Sequence, residues 1–164
     1  MIRLLAALLV VSLLQGCGAE RTPAQPVRTS FSEASGLVVE DGRGRTQQLI
    51  ADALDARAVV SPSGRWIAVE EMQLSNLVVI RAFRFSGDRY EEVAVPGIKR
   101  QWEALAREAG VAFEDLINPR VGIEGFGPSE NSVLLLFRAD TGLDERPDLA
   151  AEAEVPLEPA ARER

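Results

Sequence analysis

The sequence predicts a mainly β domain of α+β class, a small antiparallel meander of about five to seven strands with one amphipathic helix packed on it. Two observations carry this. From Gly36 onward, short apolar runs alternate with clusters of Gly, Pro, Ser and Asp, the pattern of strands joined by tight turns. Ile98 to Ala109 alone breaks that pattern, with apolar residues at helical spacing.

The chain opens on Met1 to Cys17, MIRLLAALLVVSLLQGC. Arg3 supplies a small positive region, and Leu4 to Leu14 is an apolar run broken only by Ser12, the layout of a secretory signal peptide. Such a run reaches about 16 Å as a helix against a hydrocarbon core of about 30 Å, too short to span a bilayer. Leu14-Gln15-Gly16-Cys17 resembles the lipobox of bacterial lipoprotein precursors, with Gln15 where the family more often has Ala, Ser or Thr. The resemblance implies removal of residues 1–16 and a diacylglyceryl thioether on Cys17. With Gly18 in place of Asp after the cysteine, it also implies sorting to the outer membrane, facing the periplasm. Cys17 is the sole cysteine, so no internal disulfide can form, and capping by lipid accounts for an unpaired exported thiol. Two or three acyl chains hold a protein on a bilayer far more firmly than one.

Residues 17–35 hold Pro23 and Pro26, few large apolar side chains and little periodicity, and read as a lipidated flexible tether. The globular β-rich domain is placed at residues 36–139. Leu37 to Glu40 is its first strand, turned by Asp41-Gly42-Arg43-Gly44.

Thr46 to Leu49, a polar loop to Arg57, Ala58 to Val60, the turn Ser61-Pro62-Ser63-Gly64-Arg65 and the strand Trp66 to Glu70 follow. In the turn, Pro62 presets φ, Ser61 can hydrogen-bond back and Gly64 permits positive φ. Arg45 to Val95 resembles one blade repeat of the TolB-like β-propeller family, with Ser63 where that family usually has Asp. A weaker echo runs from Val121 to Arg138, where Gly127 to Asn131 replaces the turn. Two such units do not close a propeller, so the resemblance implies a sheet like one to two blades. Leu49, Ile50, Ala53 and Leu54 also share one face of a helix over Gln47 to Ala56 capped by Thr46, and periodicity leaves helix and strand-plus-loop both open there.

Asn76 to Phe85 is a long buried strand, and Ser86-Gly87-Asp88 turns it into Tyr90 to Val95. In the helix, Ile98, Trp102, Leu105, Ala106 and Ala109 share a face, and Gly110 stops it. Trp102 reads as a packing anchor. A short helical turn is expected at Phe113 to Ile117, then a continuous apolar strand, Val133 to Phe137. Residues 140–164 are acidic and rich in Ala and Pro, and read as a disordered tail with a nascent helix at Asp148 to Glu154.

Composition excludes several functions. There is no histidine, which removes His-based nucleophile activation and His-ligated metals. The formal charge is −7, or −8 once Arg3 leaves with the leader, which disfavours nucleic acid and anionic lipid head groups. Lys99 is the one lysine and is not three residues after a serine, so the S-x-x-K arrangement is absent. Glu70-Glu71, Glu91-Glu92 and Glu114-Asp115 are adjacent carboxylates, and neighbours in a strand point to opposite faces, against a catalytic dyad in the first two pairs. Asp41 and Asp140 are at most incidental cation contacts, and Gly122 to Gly127 lacks phosphate-binding spacing.

No catalytic, cofactor-binding or metal residue is therefore assigned, no cofactor is expected, and Cys17, as lipidation site, is the one site residue. The expected function is that of a lipid-anchored cell-envelope lipoprotein whose β-rich domain serves protein interaction or a structural role. Its partners would be the membrane, through the lipid, and another envelope protein. The alternative is a carboxylate-based enzyme or ligand-binding domain acting on cell-wall or sugar substrates.

Overall fold

A computed structural model describes residues 22–74, 77–142 and 148–157. The leader, Cys17 and residues 158–164 lie outside the described residues. Ten strands are described: β1 (Arg28–Ser32), β2 (Gly36–Glu40), β3 (Thr46–Ile50), β4 (Asp55–Val60), β5 (Trp66–Leu74), β6 (Leu77–Ser86), β7 (Arg89–Val93), β8 (Ile117–Phe126), β9 (Ser132–Asp140) and β10 (Leu149–Pro156). One helix, α1 (Ile98–Ala109), and a single 3-10 turn at Phe113–Asp115 separate β7 from β8.

The strands form three antiparallel meanders, β1-β2-β3, β4-β5-β6-β7 and β8-β9-β10, each joined in chain order. The mainly β architecture with one packed helix is thus as expected, but it is divided among three sheets. The four-stranded sheet lies between the other two, and this explains the unbroken apolar run that opens β5. Ile67 and Val69 pack towards β1–β3 with Leu37, Val39, Ile50, Phe83 and Phe85. Trp66 and Ala68 pack the other way, with Ile123, Val133, Leu135 and Phe137. A strand buried on both faces has no polar side to alternate with.

α1 closes the second core. Trp102 and Ala106 are buried, and the Trp102 ring meets Phe137 edge-on with centroids 5.0 Å apart. Its end is a Schellman motif: Gly110 at φ 74 donates to the Arg107 carbonyl, and Val111 donates to that of Ala106. Gly97 at φ 89 turns the chain into the helix.

Two expected boundaries are corrected. The flexible tether assigned to residues 17–35 includes β1, which pairs with β2 from Arg28↔Glu40 to Ser32↔Gly36. The acidic tail assigned to residues 140–164 includes β10, paired with β9 over eight residues, so Asp148 to Glu154 holds strand where a nascent helix was expected. Between Gln47 and Ala56 the chain runs as strand then loop, since β3 ends at Ile50 and β4 begins at Asp55.

Gly36 shows how tightly the first sheet is closed. It is buried at φ 65, and a Cβ there would collide with the Ile50 carbonyl oxygen and lie 2.8 Å from that of Ala51. Backbone cannot swing aside as a side chain can. Gly36→Ala will therefore cost on the order of 2 to 4 kcal/mol, read as a lower urea midpoint at unchanged m-value.

Candidate functional site

Three hairpin turns with a shared hydrogen-bond pattern, the first one residue shorter than the others, gather at one end of the stack. Asp41, Ser61 and Gly127 each open a turn by donating a backbone N–H across its mouth, to the carbonyls of Arg45 (3.0 Å), Trp66 (2.9 Å) and Ser132 (3.0 Å). Each also accepts at its own carbonyl from the residue three places on, Gly44, Gly64 or Glu130. Those three residues all have positive φ, at 76, 71 and 57. The Ser61-to-Arg65 turn is the hub. Gln25, ahead of β1, donates through Nε2 to the Ser63 carbonyl at 2.7 Å, and the Tyr90 hydroxyl donates to that of Gly64. From the β8–β9 turn, the Glu130 carboxylate accepts from both the Ser63 N–H (3.1 Å) and the Ser63 hydroxyl. Ser61 Oγ accepts from the Trp66 N–H at 3.2 Å, so its hydroxyl closes a turn.

Sheet edges are closed by side chains acting in place of a strand. Gln47 on β3 presents Nε2 to the Tyr90 carbonyl and Oε1 to the Tyr90 N–H, both at 2.8 Å, capping the outer edge of β7. Arg57 and Glu70, paired across β4 and β5, take the Ile123 carbonyl and N–H on the outer edge of β8. Paired in this way, those edges no longer offer free backbone groups there.

The adjacent carboxylates divide as strand geometry requires. Glu70 faces β8. Glu71, only 4 % exposed, is turned to the opposite side and bound by Arg81 at 3.1 Å. Arg81 also grips Glu92 with two parallel hydrogen bonds and lies 5.7 Å from the Phe83 ring centre. Its bonds to Glu92, and then to Glu71, raise the Arg81 pKa further against the opposing effect of burial. Glu91 pairs with Arg89 at 3.2 Å, while Glu114 and Asp115 sit exposed in the 3-10 turn. Asp140 accepts from the Gly142 N–H at 2.7 Å, and Lys99 lies 3.7 Å from Glu103. Among the described residues no three acidic side chains converge as a metal site would require.

Two carboxyls are held below their ordinary range. Side-chain hydrogen bonds from Arg45, with the Arg45 and Arg43 backbone N–H groups, lower Asp41 against the effect of burial. Burial pushes Glu130 up, but the Ser63 and Ser61 hydroxyls, the Ser63 N–H and the charge of Arg65 together outweigh it. Depressed carboxyls stabilise the fold above their unfolded pKa, near 4, and this contribution disappears as pH falls through the lower folded value. Urea midpoints measured from neutrality downward will therefore decline below about pH 4, and Glu130→Gln will flatten that decline. Tyr90 moves the other way. Burial, then the Asp41 charge, pushes its hydroxyl up to about 12, so its contribution is lost only as pH rises towards that value.

One concave feature lies away from these turns. α1 runs antiparallel beside β10 and leaves a cleft between them. One section, of about 600 Å³, lies between Pro96 to Glu103 and Glu154 to Pro156. The other, of about 310 Å³, lies between Leu105 to Ala109 and Asp148 to Ala151, with Thr141 at its wall. Thr141 is 5 % exposed, and its hydroxyl oxygen has no hydrogen-bond partner. The sequence marks Ile98, Trp102, Leu105, Ala106 and Ala109 as one face of α1 but not the cleft, which depends on where α1 settles against β10, and local patterning does not encode that. Comparison of the chain with protein-family models, with curated proteins and with solved structures finds no match to any of the three.

Proposed function

We propose that the chain is a lipid-anchored protein of the bacterial cell envelope, held through Cys17 on the outer membrane, whose β domain works in the periplasm by binding another protein. The observation that carries this is the placement of the sole cysteine at the end of the apolar leader, in Leu14-Gln15-Gly16-Cys17. The use made of the polar groups supports a binding role over catalysis. Glu70, Glu71, Glu92, Asp41 and Glu130 are each engaged in holding strands and turns together, and Ser61 closes a turn.

The test is the mature N-terminus. The full precursor, expressed in a Gram-negative host, will yield a first residue at Cys17 carrying the mass of a diacylglyceryl group, with or without a third acyl chain. Cys17→Ser will abolish membrane partition. An unmodified thiol at Cys17, or unchanged partition of the serine variant, overturns the anchor.

A further inference from the structure

Among the described residues, β10 has no strand paired to it on the side away from β9. Leu157 donates its backbone N–H to the Asn131 carbonyl at 2.8 Å, which fixes the phase of the β9–β10 ladder. In an antiparallel pair the hydrogen-bonded positions alternate. Carried through the register Val155↔Val133, Ala153↔Leu135 and Ala151↔Phe137, that phase turns the backbone groups of Ala150, Glu152 and Glu154 outward. At Tyr90 on β7 and at Ile123 on β8 such groups are covered, by Gln47 and by Arg57 with Glu70. β10 instead faces the cleft beside α1.

We infer that the cleft between α1 and β10 binds an extended, basic segment of a partner protein, which adds to β10 as a further strand. The inference rests on the protein-binding reading above and gives it a place and a chemistry. Three features of the cleft specify the occupant. Outward backbone donors and acceptors call for another backbone in extended form. The floor near Leu105, Ala109 and Ala151 takes apolar side chains on one face of that strand. Glu108 and Asp148 flank the same section, Glu152 stands exposed on the strand between the two sections, and no basic residue is among the described residues lining that section. At the other end Lys99, drawn to Glu103, and Arg100 share the lining with Glu103 and Glu154, so the charges there balance. Negative charge therefore dominates the half of the cleft nearest the C-terminus of α1, and Lys or Arg on the solvent side of the added strand complements it.

The experiment uses the full mature protein, purified in detergent, and fluorescent octapeptides in which Val alternates with Lys or with Glu. Anisotropy is expected to show saturable binding of the Val/Lys peptide, at least tenfold weaker binding of the Val/Glu peptide, and loss with a Val/Lys peptide N-methylated at alternate backbone nitrogens. Glu152→Pro removes one outward N–H and leaves the β9 ladder intact, so it will weaken binding at least tenfold more than Glu152→Ala does. Equal binding of basic and acidic peptides, indifference to N-methylation or absence of binding each overturns the inference. N-terminal mass spectrometry of the same preparation keeps the two readings apart. An acylated protein that ignores the peptides overturns the edge alone, whereas an unacylated one that binds them upholds the edge and removes the anchor.

Discussion

Phe137→Ala will cost about 3 to 5 kcal/mol of folding stability, a large share of what a domain of this size has to lose. Phe137 is among the largest fully buried side chains and lies where β9 meets α1. Its removal leaves a cavity and deprives Trp102 of its edge-on partner. α1 covers the β9–β10 side of the core, so the lesion will first be felt as loosening of the helix. Hydrogen exchange will show α1 amides losing protection in the variant, and urea unfolding will give the midpoint shift. Phe137→Leu refills most of the volume and will recover more than half of the loss.

Arg81→Ala will cost about 3 kcal/mol, for an electrostatic reason. Glu71 is nearly inaccessible to water, and Arg81 is the cation that neutralises it, while Glu92, on the same guanidinium, is half exposed and can be solvated alone. Removing Arg81 strands a buried carboxylate between its strand neighbours Ala56 and Val79. The double variant Glu71→Met with Arg81→Met removes both charges and will be more stable than Arg81→Met alone, because an apolar pair of similar size avoids the desolvation cost. Thermal midpoints of the single and double variants decide it. A double variant no more stable than Arg81→Met alone would show that the charge left on Glu71 is not what Arg81 offsets.

Parts of the fold with a strong local signal were legible. Ile98 to Ala109 forms the helix with the bounds its spacing implied, because a periodic apolar face and a following glycine are both local. The turn from Ser61 to Arg65 was legible for the same reason, through Pro62 and the positive φ of Gly64. β1 was not: RTSFS carries one large apolar residue and is held by its pairing to β2. β10 is more instructive. Leu149, Ala151, Ala153 and Val155 alternate with Ala150, Glu152, Glu154 and Pro156, a two-residue period visible in the sequence. Ala and Glu are poor strand formers, so composition argued for tail or helix, and tertiary pairing overrode it.

The joints between sheets were the least legible part. Glu130 and Ser63 meet across 67 positions of sequence, and Gln25 reaches Ser63 across 38. In the sequence Glu130 is one acid in a turn. Its left-handed conformation is sustained by a carboxylate engaged with the neighbouring sheet, a contact that exists only after both sheets have formed. The same holds for Arg57 and Glu70, whose target is the backbone of Ile123.

The place where the chain joins the stack gives the domain a polarity. Ala24 and Gln25 are bound to Gly42 and Ser63 at the end that carries all three turns, and Leu157 closes on Asn131 at that same end. β5 and β6 run from there to Leu74 and Leu77, exposed by 58 % and 44 %, at a distance of about 30 Å. On the proposed anchor at Cys17, the tether would join the domain at its turn-bearing end and leave those leucines at the opposite one, so a fluorophore placed there would escape quenchers carried by the lipids.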